Sequence, residues 1–265
     1  METPILNAPP PPDADELAYT IERAQGVSRR EALRRVGIYG AALAATPMAL
    51  AALAQEVRAQ GLPTGIQDVL RFALTLEHLE YEFYQQGVGT TGLIASGETA
   101  LFTTIRNHER DHVLFLQTAL GLTTGTGAGA AGRPANGFDF TAGGALPTFT
   151  SYPTFLVVSQ GLEDTGVRAY KGQAGALISN NGILEAALNI HSVEARHASA
   201  VRRVRGQKGW ITLNQVDNAA IQATYNGEEV AALTVDGYTA AQVSESFDEP
   251  LTMAQVLVIA DPFIV

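Results

Sequence analysis

The chain has 265 residues, 46% of them hydrophobic, which is enough for one good core and a small appendage. Its net charge of −10 repels nucleic-acid phosphates, so no nucleic acid partner is expected. The absence of cysteine excludes disulfides, thiolate metal sites, iron–sulfur clusters and a cysteine nucleophile, and leaves the compartment open.

Residues 1–27 are Pro-rich and polar, with little signal for structure. Ser28-Arg29-Arg30-Glu31-Ala32-Leu33-Arg34 then leads into an apolar, Ala-rich stretch from Val36 to Leu53, and Ala52-Leu53-Ala54 has the small-x-small pattern of a processing site. This resembles a twin-arginine export signal, which implies the periplasm or cell envelope and makes residues 1–60 a leader. Ala32 departs from the aromatic or Leu usual there. The alternative is a retained N-terminal anchor that associates with a membrane or envelope complex, although Pro47 and the alanines weaken a spanning helix.

From Ile66 the pattern turns helical: Val69, Leu70, Phe72, Ala73, Leu76, Leu79 and Phe83 recur at three- and four-residue steps, and Gly87 is expected to end the run. Glu98 to Leu120 is a second helix, with Ser96 as N-cap and Gly121 as the stop. Pro153 and Gly172 bracket a third, and Ile183 to Arg205 is a fourth, ended by Gly206. The stretch between helices two and three is rich in Gly, Thr and Pro, too long for an ordinary loop in a compact domain. A crossover along the length of a bundle explains it, and the expected fold is all-α: a four-helix bundle over residues 65–206 with one long crossover. Residues 207–265 read as an irregular, partly helical tail packed on the bundle, with Thr252 capping a last short helix through Ile259 that Pro262 stops.

One arrangement occurs twice. Glu77, Tyr84, Glu109 and His112 form the first copy; Glu163, Tyr170, Glu194 and His197 form the second. Glu77 to Glu109 is 32 positions and Glu163 to Glu194 is 31. Each Glu-x-x-His places both side chains on one helix face. Either pair alone is weak; two pairs, each preceded by a glutamate at matched distance, form the ligand set of a two-metal site. The first helix also offers Glu80 and Glu82, but in the repeat these lie opposite Gly166 and Arg168, so Glu77 is the ligand, Glu80 a neighbour of the site and Glu82 a solvated residue. Tyr84 and Tyr170 share the ligand face, either to hydrogen-bond a carboxylate or donate an electron, or simply to fill the core.

His191, one turn before Glu194, is expected to bond a ligand or relay protons. His78 and His108 point about 100° away and read as surface or packing residues, and Asp111 and Asp164 as groups that orient the imidazoles. A carboxylate-rich, thiolate-free site favours iron first and manganese second, so two metal ions are the expected cofactor.

These residues resemble the ferritin-like superfamily. More narrowly, Leu-Glu-His-Leu-Glu-Tyr-Glu-Phe-Tyr at 76–84, Phe138-Asp139-Phe140 and the run from Gly161 to Gln173 resemble bacterial ferritin-like domain proteins, which are similar to plant desiccation-related proteins. The resemblance implies a ferritin-like bundle and activities such as ferrous oxidation, peroxide reduction or dioxygen activation. Without cysteine, a rubrerythrin-type electron-input centre is excluded, and the leader, crossover and tail depart from the plan of a storage cage. Two functions follow as expectations. One is an exported dimetal oxidase that consumes O2 or H2O2 while oxidising Fe(II), in oxidative-stress or desiccation defence, with Tyr84 or Tyr170 as an electron source. The other is a non-catalytic structural or interaction subunit of an envelope complex. Oligomerisation is compatible with either.

Overall fold

A computed structural model describes residues 61–229 and 237–265; the twin-arginine-like leader lies outside the described residues. The described residues are helical, with no strand beyond an isolated bridge between Phe138 and Ile264. None of their helices is long and apolar enough to cross a membrane.

Four long helices make the bundle: α1 Thr64–Gly89, α2 Thr99–Ala119, α3 Tyr152–Gln173 and α4 Asn181–Val204. They pair as two hairpins, α1 with α2 and α3 with α4, and α1 meets α3 across the bundle. α1 runs two residues past its expected end at Gly87. A Cβ there would lie 2.3 Å from Cε2 of Phe155, so this glycine lets α3 approach α1 rather than stopping the helix. α2 begins at Thr99 without a side-chain cap, so Ser96 does not serve as one, and the Glu98 carboxylate instead accepts the Tyr152 hydroxyl. Its other end is as expected: Gly121, at φ +70°, donates to Thr118 O at 3.0 Å and Leu122 donates to Gln117 O at 2.8 Å. Ser151 and Asn180 cap α3 and α4 through Thr154 N and Ile183 N.

The apolar side chains divide into two clusters along the bundle. One gathers Phe83, Tyr84, Phe102, Phe155 and Val201; the other gathers Leu70, Leu74, Phe115, Leu116, Ile183 and Ile190. The polar residues Glu77, Glu109, Glu163 and Glu194 fall between these sets along their helices, so the metal-ligand candidates occupy a polar layer between two dry ones.

The crossover has no long helix and is held by side chains. Gln117 Nε2 donates to Gly125 O and Ala131 O at 2.7 and 2.9 Å. Glu82, expected to be solvated, is half-buried and accepts both arms of Arg133 from the crossover. Arg168, at the repeat position equivalent to Glu82, is 1% exposed and holds the tail. Its Nε donates to Glu249 O at 2.7 Å and lies 2.8 Å from Glu228 Oε1, and its Nη2 donates to Asn226 O at 3.1 Å. The tail carries short helices α5 Gln222–Tyr225, α6 Ala240–Ser244 and α7 Met253–Ala260. α7 has the expected Thr252 cap, strengthened by Gln255 in a capping box, and buries Val256 and Ala260.

Candidate metal centre

The hairpins bring all six expected ligands together, and every one is buried. His112 Nδ1 lies 3.1 Å from Glu77 Oε2, 3.1 Å from Glu109 Oε2 and 3.2 Å from Glu194 Oε1. His197 Nδ1 lies 2.9 Å from Glu109 Oε1, 3.2 Å from Glu163 Oε2 and 3.8 Å from Glu194 Oε2. Glu109 and Glu194 therefore each turn one oxygen to one imidazole and the second oxygen to the other. Two groups of four donors result, Glu77, Glu109, His112 and Glu194 in one and Glu109, Glu163, Glu194 and His197 in the other, with the donor atoms of each within 4.8 Å of one another. Glu109 and Glu194 are shared; Glu77 and Glu163 belong to one group each.

The donor set fits cations. Glu109 Oε1, Glu163 Oε2, both oxygens of Glu194 and His197 Nδ1 are buried without a hydrogen-bond partner. Each imidazole turns one Nδ1 to three carboxylate oxygens, 3.1–3.2 Å away at His112 and 2.9–3.8 Å away at His197, and one nitrogen carries at most one proton for the three. More lone pairs converge than there are protons to meet them, which is what a shared cation satisfies, and four buried carboxylates balance two divalent ions in charge.

The tyrosines reach across the bundle. Tyr84 donates to Glu163 Oε1 and lies 2.7 Å from Ser159 Oγ; Tyr170 donates to Glu77 Oε1. Each tyrosine of one hairpin thus orients the unshared glutamate of the other. Burial, and then the facing carboxylate, holds both phenols well above their ordinary pKa, so the hydroxyls remain donors.

Residues 66–207 match the family model for the ferritin-like domain, more than half of the 265-residue chain. The chain belongs to the ferritin-like domain family. Comparison with curated proteins returned no match. The ferritin-like match covers α1 from Ile66 onward, the other three long helices, the crossover and all six candidate ligands.

With protons as its only positive charge, the ferritin-like centre divides its carboxyls. Burial pushes Glu77 up to about 8 despite the pull of His112, and it also raises Glu163 and Glu80. Burial opposes ionisation of Glu109 as well, but His112 and His197 together hold it below the usual range. Burial likewise opposes charge on the two imidazoles, yet Glu77 and Glu109 raise His112, and Glu163 and Glu109 raise His197. Glu80 is buried at the edge of the cluster. Its Oε1 and Glu194 Oε2 would lie 3.2 and 3.3 Å from a Cβ at Gly166, so the glycine leaves room for both carboxylates.

Several expected neighbours are elsewhere. His191 Nδ1 bonds Val167 O at 3.0 Å, on α3, in place of a candidate ligand. Asp111 pairs with Arg110 on its own helix at 2.7 Å, and Asp164 with Arg202 and Tyr225, so neither orients an imidazole. His78 is fully buried, 3.2 Å from Ala131 O of the crossover. His108 is exposed as expected, but its Nδ1 is 2.9 Å from His197 Nε2, with the two rings nearly parallel and their centroids 5.2 Å apart. A hydrogen bond between these two nitrogens fixes the His197 imidazole with its Nδ1 toward the carboxylates. Sequence spacing missed this because His108 reaches across from α2 to α4.

Proposed function

We propose that this ferritin-like domain binds two metal ions, iron first and manganese second, and oxidises Fe(II) with O2 or H2O2 as acceptor. The observation that carries the reading is the pair of shared carboxylates, Glu109 and Glu194, each with one oxygen toward each imidazole. His112 and Glu77 would complete one ion's ligands, His197 and Glu163 the other's. Only oxygen and nitrogen donors are present, a set that suits iron and manganese better than softer metals.

When bound, the ions supply one-electron redox steps at neighbouring positions. In the overall reaction two Fe(II) give up two electrons; O2 takes these with two protons and leaves as H2O2, or H2O2 takes them with two protons and leaves as two waters. The chain's own residues do the positioning. Tyr84 and Tyr170 hold Glu163 and Glu77 by hydrogen bonds, and the phenol of either is a candidate electron source. The aromatic cluster about Phe83, Phe102 and Phe155 closes the Tyr84 end against water. Glu80 is placed to hold a proton beside the cluster.

The setting is the periplasm or cell envelope, through residues 1–60 as a twin-arginine-like leader or anchor, in defence against oxidative stress or desiccation. Metal analysis of the purified protein, with Fe(II)-oxidation and peroxide-consumption assays, tests the chemistry. Alanine at Glu109 or Glu194 is expected to abolish turnover. If those changes lower only the melting temperature of an already inactive protein, the structural-subunit reading replaces the catalytic one. Replacing Arg29 and Arg30 by lysine and following the protein by cell fractionation tests export.

A further inference from the structure

The loop that follows α4 is held in place from both sides. Ile211 packs with Val157, Ile221 and Tyr225 in a small apolar cluster apart from the two of the bundle. Leu213 takes a left-handed backbone conformation, φ +52°, and its N–H donates to Ser244 Oγ at 2.7 Å. A leucine keeps such a conformation only where its surroundings enforce it. Between this loop and the ends of α3 and α4 lies a cavity of about 320 Å³, open to solvent and lined by none of the candidate metal ligands. Trp210, the one tryptophan of the chain, lines it and is 45% exposed. Val216, the other apolar residue among its walls, is packed against the Ile211 cluster. The remaining walls are polar, and two of them, Gln160 and Arg202, are 3% and 6% exposed.

We infer that this cavity binds a neutral pyranose sugar, with the sugar ring on the Trp210 indole and its hydroxyls on the side-chain amides of Gln207 and Gln215. Charge comes first. Arg202 pairs with Asp164, Arg205 with Asp217 at 2.8 Å, and Lys208 with Glu245, so each cation at the cavity already has its carboxylate. Neither an anion nor a cation would find an unmatched partner there. Amides and one ring are what is left for a ligand. Gln207 Nε2 donates to Asp217 Oδ2 at 2.8 Å, which leaves its carbonyl to accept. Among the described residues Gln215 bonds the protein through its backbone N–H alone, to Thr212 O at 3.4 Å, so its side chain can both donate and accept. A pyranose has a face of C–H groups and a rim of hydroxyls that donate and accept, which matches one aromatic wall and a polar rim. A flat heteroaromatic has two apolar faces to cover, and with Val216 committed to its own cluster only Trp210 covers one. The volume is at the small end of ligand sites, about 300–1,000 Å³, with room for one or two sugar rings.

Because Trp210 is the sole tryptophan, its fluorescence in the full chain, excited beyond tyrosine absorption, reads this cavity. Titration with glucose, galactose, mannose and maltose is expected to give a saturable emission shift with at least one of them. Binding of a monosaccharide alone supports the site as one for a free sugar, and tighter binding of maltose supports it as one for a glycan chain. No saturable shift with any of the four, or a saturable shift with inorganic phosphate instead, overturns the inference. Gln215→Ala, at an exposed position, is expected to weaken binding about tenfold with the melting temperature unchanged. Trp210→Ala is expected to abolish binding in calorimetry. Native-like affinity in either variant overturns the inference, and should Trp210→Ala fail to fold, Gln215→Ala decides. The same titration of metal-free protein keeps the result independent of the dimetal reading.

Discussion

Consider the metal-free protein titrated from about pH 5.5 to about 7.5. Unfolded, Glu77 titrates at its ordinary value of 4.5, and folded at about 8, because burial disfavours its charge. The folded state therefore holds a proton that the unfolded chain has released, and the stabilisation this provides is complete below the unfolded value and lost as pH rises toward 8. One proton of difference corresponds to about 1.4 kcal/mol per pH unit, or about 3 kcal/mol across this window. Glu80 and Glu163, raised by burial, act with the same sign. So do His112 and His197 above the ordinary imidazole value of 6.5, since their folded values are also raised. Glu109 and Glu194 are lowered, so their contribution changes only below the ordinary carboxyl value of 4.5 and does not oppose the trend. A loss of about 3 kcal/mol or more is a large share of the stability of a domain of this size, about 5–15 kcal/mol.

Urea denaturation of the metal-free protein at three pH values measures the slope directly. Glu77→Gln, which mimics the protonated carboxyl, is expected to flatten it by about 1.4 kcal/mol per pH unit. Metal binding should reverse the dependence, because bound ligands must be deprotonated and binding then releases protons. Calorimetry in two buffers of different ionisation heat reads that release. Metal-free stability that is flat or rises over the window, or metal binding with no proton released, would refute the electrostatic account of the centre.

Three further outcomes are expected. Glu109→Gln should lose both ions and Glu77→Gln only one, as read by elemental analysis, because Glu109 belongs to both donor groups and Glu77 to one. Tyr84→Phe leaves Glu163 Oε1 and the buried Ser159 hydroxyl unpartnered and should cost about 1–3 kcal/mol in chemical denaturation; Tyr170→Phe, at a partly exposed position, should cost about half as much. Arg168→Met should cost about 3–5 kcal/mol and open the tail to limited proteolysis, since it leaves the buried Glu228 without its counter-charge; adding Glu228→Gln should recover part of that loss.

The repeat was legible where both halves must do the same thing. Like donors from each hairpin are what a site for two like ions would require, and Glu77 matches Glu163, Glu109-His112 matches Glu194-His197, and Tyr84 matches Tyr170. Helical spacing places such residues on one face of their own helix, and that local rule suffices for them. It cannot say which oxygens are shared, because sharing depends on how the two hairpins are rotated against each other, nor that His108 reaches His197 across 89 positions. It also misread Gly87: a glycine in a helical pattern signals a stop when only its own helix is considered, whereas Phe155 of another helix is what requires it. Where the repeat fails, the halves have different duties. Glu82 and Arg168 are equivalent positions of opposite charge, and each anchors a different segment to the bundle, the crossover through Arg133 and the tail through Glu228. Glu80 and Gly166 are equivalent too, and the missing side chain of one leaves room for the carboxylate of the other. A position that breaks an otherwise faithful repeat is therefore informative in its own right: it marks where the two halves face different neighbours, and here those neighbours are the non-helical segments and one side of the metal centre.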